Sequence, residues 1–224
     1  MNKKIKYIIK IGGSLIDKEN ILRKLCSHLF KLVNESKYKL IIIPGGGAIA
    51  DEVRKVYKKY KIADKTAHWM AILSMNINGM LIADLNKNFV AVNNTRECLH
   101  TLKENKIPVL LPYEILKKYD ELPASWDITS DSISLYIAKL LNAKTNILVK
   151  DVEGIYHPQK KILLDKVNIY ELKKWRNKTC VDNYYPILTS KYKINSYVVS
   201  GIYPERIGKI LEGKKTKATQ ILYE

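Results

Sequence analysis

The sequence predicts an α/β fold with a mainly parallel central sheet, and three observations carry that prediction. A strand-length apolar run ends in a glycine-rich turn twice within the first sixty residues, at Gly12-Gly13 and at Gly45-Gly46-Gly47. Each turn leads into residues with helical spacing of apolar side chains, which is the grammar of strand–helix–strand units. Further apolar runs of strand length then alternate with helical stretches to the end of the chain. In such sheets the binding loops gather at the C-terminal ends of the strands, so two glycine turns at equivalent places would open on one edge.

The elements follow in order. Lys6–Ile11 suits a buried strand. Glu19–Asn34 sets Ile21, Leu22, Leu25, Leu29, Leu32 and Val33 at helical spacing. Leu40–Pro44 is a second strand, and Ala48–Tyr60 a helix with Ile49, Val53 and Val56 on one face. Lys65–Leu85 reads as a long helix, with its methionines as core filler. Phe89–Val92 and Ile107–Leu111 read as strands around a helix at Thr95–Glu104, with Pro112 closing the second strand. Leu122–Asp131 is polar and turn-like, and it runs into a helix at Ser132–Leu141 for which Thr129 and Ser130 are suitable caps. Thr145–Lys150 is another strand, followed by the turn Asp151–Tyr156. Beyond it lie an extended piece at Lys161–Leu164 and helices at Asn168–Trp175 and Asp182–Lys193. Ser196–Ser200, a helix at Pro204–Leu211 and a strand at Thr219–Tyr223 complete the chain. No low-complexity linker divides it; the polar region near Ala124 is the expected boundary between an N-terminal lobe, 1–124, and a C-terminal lobe, 125–224, sharing one sheet.

Length and composition narrow the function. The chain has 224 residues, 46% of them hydrophobic, enough for a sizeable core. The formal net charge of +17 raises anionic partners. The lysines are spread among Asp and Glu, and no nucleic-acid-binding signature accompanies them, so no specific nucleic-acid partner is expected. Cys26, Cys98 and Cys180 are far apart and odd in number, which fits neither a disulfide framework nor a zinc site. The charged start and the lack of an apolar run of membrane length lead us to expect a cytoplasmic protein without a membrane partner. The four histidines are scattered, so no protein-bound catalytic metal is expected. Walker A, Rossmann and hydrolase-elbow motifs are missing. The near match at Gly208–Gly213-Lys214 puts Lys215 in the Ser/Thr place and follows no strand.

What remains points to phosphate. Gly12 and Gly13 admit a close ligand, Ser14 can cap a helix start, and Lys10 adds a positive charge at the same spot. The alternative is an ordinary turn beside a surface lysine. Asp131 is either a carboxylate complementing its helix dipole or an active-site group aimed at cations. His68 is a pocket residue or a surface histidine, and Trp126 a pocket wall or core. Moving a phosphoryl group needs positioning and positive charge more than covalent help. Facing glycine turns, Lys10 and Asp131 supply such a site, with Asp131 holding the lysines or helping to hold Mg²⁺ through water.

Four pieces together resemble the amino acid kinase superfamily: Lys10-Ile-Gly-Gly-Ser14, Ile43-Pro-Gly-Gly-Gly47, Thr129-Ser-Asp-Ser132 and Val149-Lys-Asp-Val-Glu-Gly-Ile-Tyr156. The resemblance implies a three-layer αβα sandwich, with an N-terminal lobe for the phosphoryl acceptor and a C-terminal lobe for ATP with Mg²⁺. It implies that Lys10 stabilises the transferring phosphoryl, that Gly12, Gly13 and Ser14 lie against the nucleotide phosphates, and that Asp131 organises the catalytic lysines. Lys150, Asp151, Gly154, Ile155 and Tyr156 would line the nucleotide site, and Gly45, Gly46 and Gly47 the acceptor site. The stretch Ser125–Ser132, with Ala67–Met70 and Cys180-Val-Asp182, is similar to an archaeal branch of methanofuran biosynthesis. Its acceptor is an aminomethylfuran methyl phosphate, converted to the diphosphate. Arg54 would then bind the acceptor phosphate, Trp69 or Trp126 would pack on the furan ring, and His68 would border the acceptor. Uridylate, adenylate and isopentenyl phosphate are alternative acceptors, and a non-catalytic nucleotide-binding protein is the alternative of another class. The second lysine that many relatives place after a Gly-Gly-Met segment has only Lys191 as a candidate. A homo-oligomer is expected.

Overall fold

A computed structural model describes residues 7–36, 38–119 and 121–224; Lys6, the first residue expected in the opening strand, lies outside them. Among the described residues the order is β1 (Tyr7–Ile11), α1 (Gly13–Ile16), α2 (Glu19–Ser36), β2 (Leu40–Pro44), α3 (Gly47–Tyr60), α4 (Asp64–Asp84), β3 (Phe89–Val92), α5 (Thr95–Lys103), β4 (Ile107–Leu110) and α6 (Pro112–Lys118). It continues through α7 (Ser130–Leu140), β5 (Thr145–Lys150), β6 (Lys166–Asn168), α8 (Ile169–Lys174), α9 (Tyr185–Tyr192), β7 (Asn195–Ser200), α10 (Glu205–Leu211) and β8 (Thr219–Leu222).

The eight strands form one sheet in the order β3-β4-β2-β1-β5-β7-β8-β6, parallel throughout except for the β7–β8 pair. Side chains alternate across it as the period of two requires. Ile8, Ile41, Ile43, Leu148 and Val198 face a core shared with α4, α7, α8 and α9. Ile9, Ile11, Ile42, Ile147, Val149 and Val199 face a second core with α2 and α10. Apolar layers on both faces explain why the central strands are continuous hydrophobic runs, and they give the three-layer αβα sandwich. β1 and β5 lie side by side at the centre, Lys10 level with Leu148.

Three local readings change. The first turn carries a short helix, α1, whose N-cap is Gly12, so Ser14 is its second residue and caps nothing. Pro112 opens α6 rather than only ending a strand, because proline's missing N–H costs nothing in a first helical turn. The extended piece expected at Lys161–Leu164 makes only an isolated bridge, Leu163 to Tyr156, and an unforeseen strand at Lys166–Asn168 pairs with β8. Asn168 then starts α8 through a capping box with Glu171.

Candidate active site

The site begins with strand parity. Lys10 shares its face with Ile8, and Lys150 shares its face with Leu148, so both lysines point toward α7 from neighbouring strands. Asp131 is the second residue of α7 and is 2% exposed. Its carboxylate lies between the two ammonium groups, with Lys10 Nζ 2.8 Å from Oδ1 and Lys150 Nζ 2.7 Å from Oδ2. Burial by itself would push the Asp131 carboxyl up; Lys10 and Lys150 outweigh it and hold the group at about 2. Burial lowers Lys10 below the ordinary lysine range, against the pull of Asp131. For Lys150 burial also acts downward, but Asp131 wins and the net direction is up.

Beside this cluster the two glycine turns touch backbone to backbone. A Cβ on Gly13 would lie 2.3 Å from the Gly47 nitrogen, and one on Gly45 would lie 2.5 Å from the Gly13 nitrogen. Gly47 adopts φ +52°, a conformation glycine enters freely. Asn78, buried in α4, fixes the second turn by donating to the Gly45 and Gly46 carbonyls, both at 2.8 Å.

A cavity of about 230 Å³ opens where the turns meet. Gly13, Ser14, Gly46 and Gly47 form one end, with Thr129 and Ser130 of the α7 start. Ile72, Met75, Ile128 and Ile133 give it apolar walls. Arg54, Trp126, His68, Asp51 and Asp64 also border it. The Arg54 guanidinium stacks 4.7 Å from the Trp126 ring centroid and reaches Asp51 at 3.3 Å. Tyr57 packs on Trp126 at 5.6 Å and donates to Asp64 at 2.6 Å.

Next in sequence to Lys150, Asp151 pairs with Lys18 at 3.1 Å. Burial acts to raise the Asp151 carboxyl, and Lys18 and Ser14 hold it below the ordinary range.

The structure thus brings together Lys10, Gly12, Gly13, Ser14, Asp131, Lys150 and Asp151, with Gly46, Gly47, His68 and Trp126 around the adjoining cavity. The other expected positions have these surroundings. Gly45 is buried and packs the two turns together, outside the cavity wall. A Cβ on Gly154 would meet Thr219 Oγ1 at 2.5 Å, and Ile155 is fully buried, so both shape their turn from within the core. Tyr156 is exposed. Arg54 already engages Asp51 and Trp126 at the cavity. Lys191 lies in the last turn of α9, exposed, with its ammonium over Tyr192. α9 leads into Asn195, which is level with Thr145 at the start of β5, so Lys191 sits at the opposite end of the sheet from Lys150.

The sequence reading placed Lys150 at the nucleotide but missed its pairing with Asp131, and it missed Asp182 as a site residue altogether. Lys150 is the second lysine on Asp131; its signal was a lysine before a glycine turn, repeated from Lys10, but not the parity that turns both inward. Asp182 accepts hydrogen bonds around the start of α7, and nothing local in the sequence tied it to residues so far away.

The fold is shared with known proteins. The model of the amino acid kinase family matches residues 6–185. The [5-(aminomethyl)furan-3-yl]methyl phosphate kinase of Methanocaldococcus jannaschii is 39% identical over 219 residues, covering 96% of this chain and 97% of that protein. The isopentenyl phosphate kinase of the same organism is 25% identical, covering 92% and 95%. The crystal structure of uridylate kinase from Archaeoglobus fulgidus superposes with a TM-score of 0.74 at 18% identity, covering 96% and 99%.

Proposed function

The chain belongs to the amino acid kinase family and is a phosphotransferase, and we propose that it carries the γ-phosphoryl group of ATP onto [5-(aminomethyl)furan-3-yl]methyl phosphate. The observation that carries the catalytic reading is Asp131, whose two oxygens each hold a lysine beside two interlocked glycine turns. An oxygen of the acceptor phosphate attacks the γ-phosphorus, the bond from that phosphorus to the β,γ-bridging oxygen breaks, and ADP leaves. Charge on the transferring group is met by the Lys10 and Lys150 ammonium ions, pre-set by Asp131 in a water-poor site. Gly12, Gly13 and Ser14 bring backbone close to the phosphates, and the α3 and α7 N-termini add positive potential. Mg²⁺ enters with the nucleotide as part of the substrate. Asp131 is not fitted to bind it, because both its oxygens face ammonium groups.

The acceptor assignment rests on the cavity. About 230 Å³ is less than the roughly 300–1,000 Å³ of sites for drug-sized ligands, which suits a small acceptor. Its glycine end suits the phosphate, its aliphatic walls and Trp126 the furan ring, and Asp51 and Asp64 the ammonium group. The M. jannaschii relative bears the name of that reaction, and its identity extends over nearly the whole chain.

A panel of acceptors with ATP and Mg²⁺ tests this. The aminomethylfuran phosphate should be the best substrate, and its hydroxymethyl analogue should show a raised KM. Turnover of uridylate, adenylate or isopentenyl phosphate without turnover of the furan phosphate would overturn the acceptor assignment. ATP binding with no transfer to any of them would favour a regulatory protein.

The expected homo-oligomer has a matching surface. Leu73, Ile77, Met80 and Leu81 leave an apolar strip of α4 exposed, and a second copy would cover it. Ile77→Lys should shift sedimentation from dimer to monomer. None of the described helices is long and apolar enough to cross a membrane, and we place the enzyme in the cytoplasm with its small-molecule substrates.

A further inference from the structure

Asp182 has no part in the chemistry above, yet five donors converge on it. It lies between α8 and α9 and is partly buried. Its Oδ2 accepts from the Thr129 amide at 2.9 Å, the Thr129 hydroxyl at 2.9 Å and the Ser132 amide at 3.0 Å. Its Oδ1 accepts from the Ser132 hydroxyl at 2.5 Å and the Tyr185 amide at 2.9 Å. Thr129 is the N-cap of α7 and Ser132 its third residue. The Ser132 amide is one of those a helix start leaves without helical partners. An N-cap side chain usually serves it. Here a carboxylate from a distant segment does so, while the Thr129 hydroxyl oxygen accepts from the Asp131 amide at 3.3 Å.

The same turn of α7 carries Asp131 inward to the lysines. Any loosening of the turn therefore displaces the group that spaces the two ammonium ions. Charge adds a second link. Lys10 and Lys150 face each other from β1 and β5; Asp131 faces them from α7, and Asp182 and Cys180 from the segment between α8 and α9. With Asp131 alone the buried group would carry one excess positive charge.

We propose that Asp182 is a positioning residue for phosphoryl transfer: it anchors the first turn of α7, and with it Asp131 between the two lysines, and it adds a second carboxylate on their side. The electrostatics run the same way. Burial lowers Lys10, and the negative charges of Asp131 and Asp182 oppose that loss; burial and the charge of Asp131 raise the Asp182 carboxyl in turn, and its hydrogen bonds from Ser132 and Thr129 oppose that rise.

The test pairs kcat against pH with NMR titration of labelled lysine side chains, in the wild type, Asp182→Asn and Ser132→Ala. Asp182→Asn removes the charge. Its kcat should fall about tenfold to a hundredfold with both KM values nearly unchanged, as for a misplaced catalytic group. Without the negative charge Lys10 holds its proton less well, so its midpoint and the alkaline limb of kcat should move to lower pH by about half a unit to one unit. Ser132→Ala keeps both charges and loses one anchor. Its kcat should fall about threefold, roughly the net worth of one hydrogen bond, with the limb in place. A folded Asp182→Asn protein with wild-type kcat, or an unmoved Lys10 midpoint, would overturn the proposal. If that variant does not fold, wild-type kcat in Ser132→Ala overturns it. The activity readout rests on the phosphotransferase reading. A wild type without turnover counts against that reading alone, and the Lys10 midpoint still decides the role of Asp182.

Discussion

The strands β1, β2 and β5 end in glycine-bearing turns that look alike in sequence, and they do different things. The turns after β1 and β2 press against each other, glycine to glycine, and open on the cavity. The turn after β5 buries its glycine against Thr219 and sends Ile155 into the core. At its start, Lys150 pairs with Asp131 and Asp151 with Lys18. A glycine thus marks a close approach but not what approaches. In the first two turns it is another backbone at the edge of an open space, where phosphate oxygens can follow. In the third it is a threonine hydroxyl of β8, and the turn is a plug that fixes the strand end carrying Lys150. The comparison divides the site into a backbone half and a charged half, and each half can be broken separately.

The largest effects belong to the charged half. Lys10→Ala removes one of the two ammonium ions and should lower kcat by about 10²–10³-fold, as loss of one pre-set electrostatic group does elsewhere. Asp131 keeps Lys150, so far-ultraviolet circular dichroism should show an intact fold. Asp131→Asn should cost at least as much in kcat and in addition about 3–5 kcal/mol of stability, because it strands two buried ammonium ions. The acid side gives an independent check. A carboxyl held at about 2 in the folded state contributes stability that is fully present above its unfolded value of about 3.9 and is lost as pH falls toward 2. Urea midpoints between those values should fall less steeply with decreasing pH in Asp131→Asn than in the wild type.

Next come the glycines, which test the comparison most directly. Gly13→Ala would set a methyl group 2.3 Å from the Gly47 nitrogen and 2.5 Å from its Cα, both rigid backbone atoms. The two turns must part, so stability should fall by about 1–3 kcal/mol and kcat/KM by more than tenfold. Gly154→Ala meets Thr219 Oγ1 at 2.5 Å and Leu163 Cδ1 at 2.9 Å. It should lose similar stability, yet its activity per folded molecule should stay within about threefold of the wild type. Denaturant titrations with kcat measured on the folded fraction separate the two. Equal catalytic losses would mean that the β5 turn touches the phosphates after all.

A smaller effect is expected at the cavity mouth. Trp126→Ala removes a ring stacked by Arg54 and by Tyr57. Loss of about 1–2 kcal/mol of contact should raise the acceptor KM about five- to thirtyfold and leave the ATP KM alone. An equal rise in both would show that Trp126 supports the fold of the loop rather than the acceptor.

The order of these effects follows what could be read from the sequence. Lys10, Gly12 and Gly13 were legible because strand, charge and turn lie within a few residues of one another. The sheet was legible because buried parallel strands are written as unbroken apolar runs. Asp131 was legible as a carboxylate at a helix start, but its partners were not, since these depend on which face of β1 and β5 each lysine occupies. Lys150 was accordingly assigned to the nucleotide and not to Asp131. Asp182 lay beyond reach for a different reason: its bonds to Thr129 and Ser132 join segments whose proximity only the packed sheet and helices create. The short strand β6 was not foreseen because a three-residue edge run carries too little pattern.

Lys191 is the residue on which the two kinds of reading part most clearly, and the expected effect there is the smallest. Its candidacy rested on a lysine near the place where relatives keep one, in a stretch of unclear register. We propose Lys150 for that position: the strand next to β1 ends in this lysine on the α7 face, 2.7 Å from Asp131 Oδ2. A third ammonium there would lack a carboxylate oxygen and would add an unpaired buried charge. Lys191→Ala should therefore leave kcat, both KM values and the unfolding midpoint close to wild type, since an exposed lysine over Tyr192 contributes at most about 0.5–1 kcal/mol. Lys150→Ala should behave like Lys10→Ala. If Lys191→Ala loses activity by more than tenfold and Lys150→Ala does not, the α9 end must swing across the sheet edge during turnover, and the charged half would have to be rebuilt around that movement.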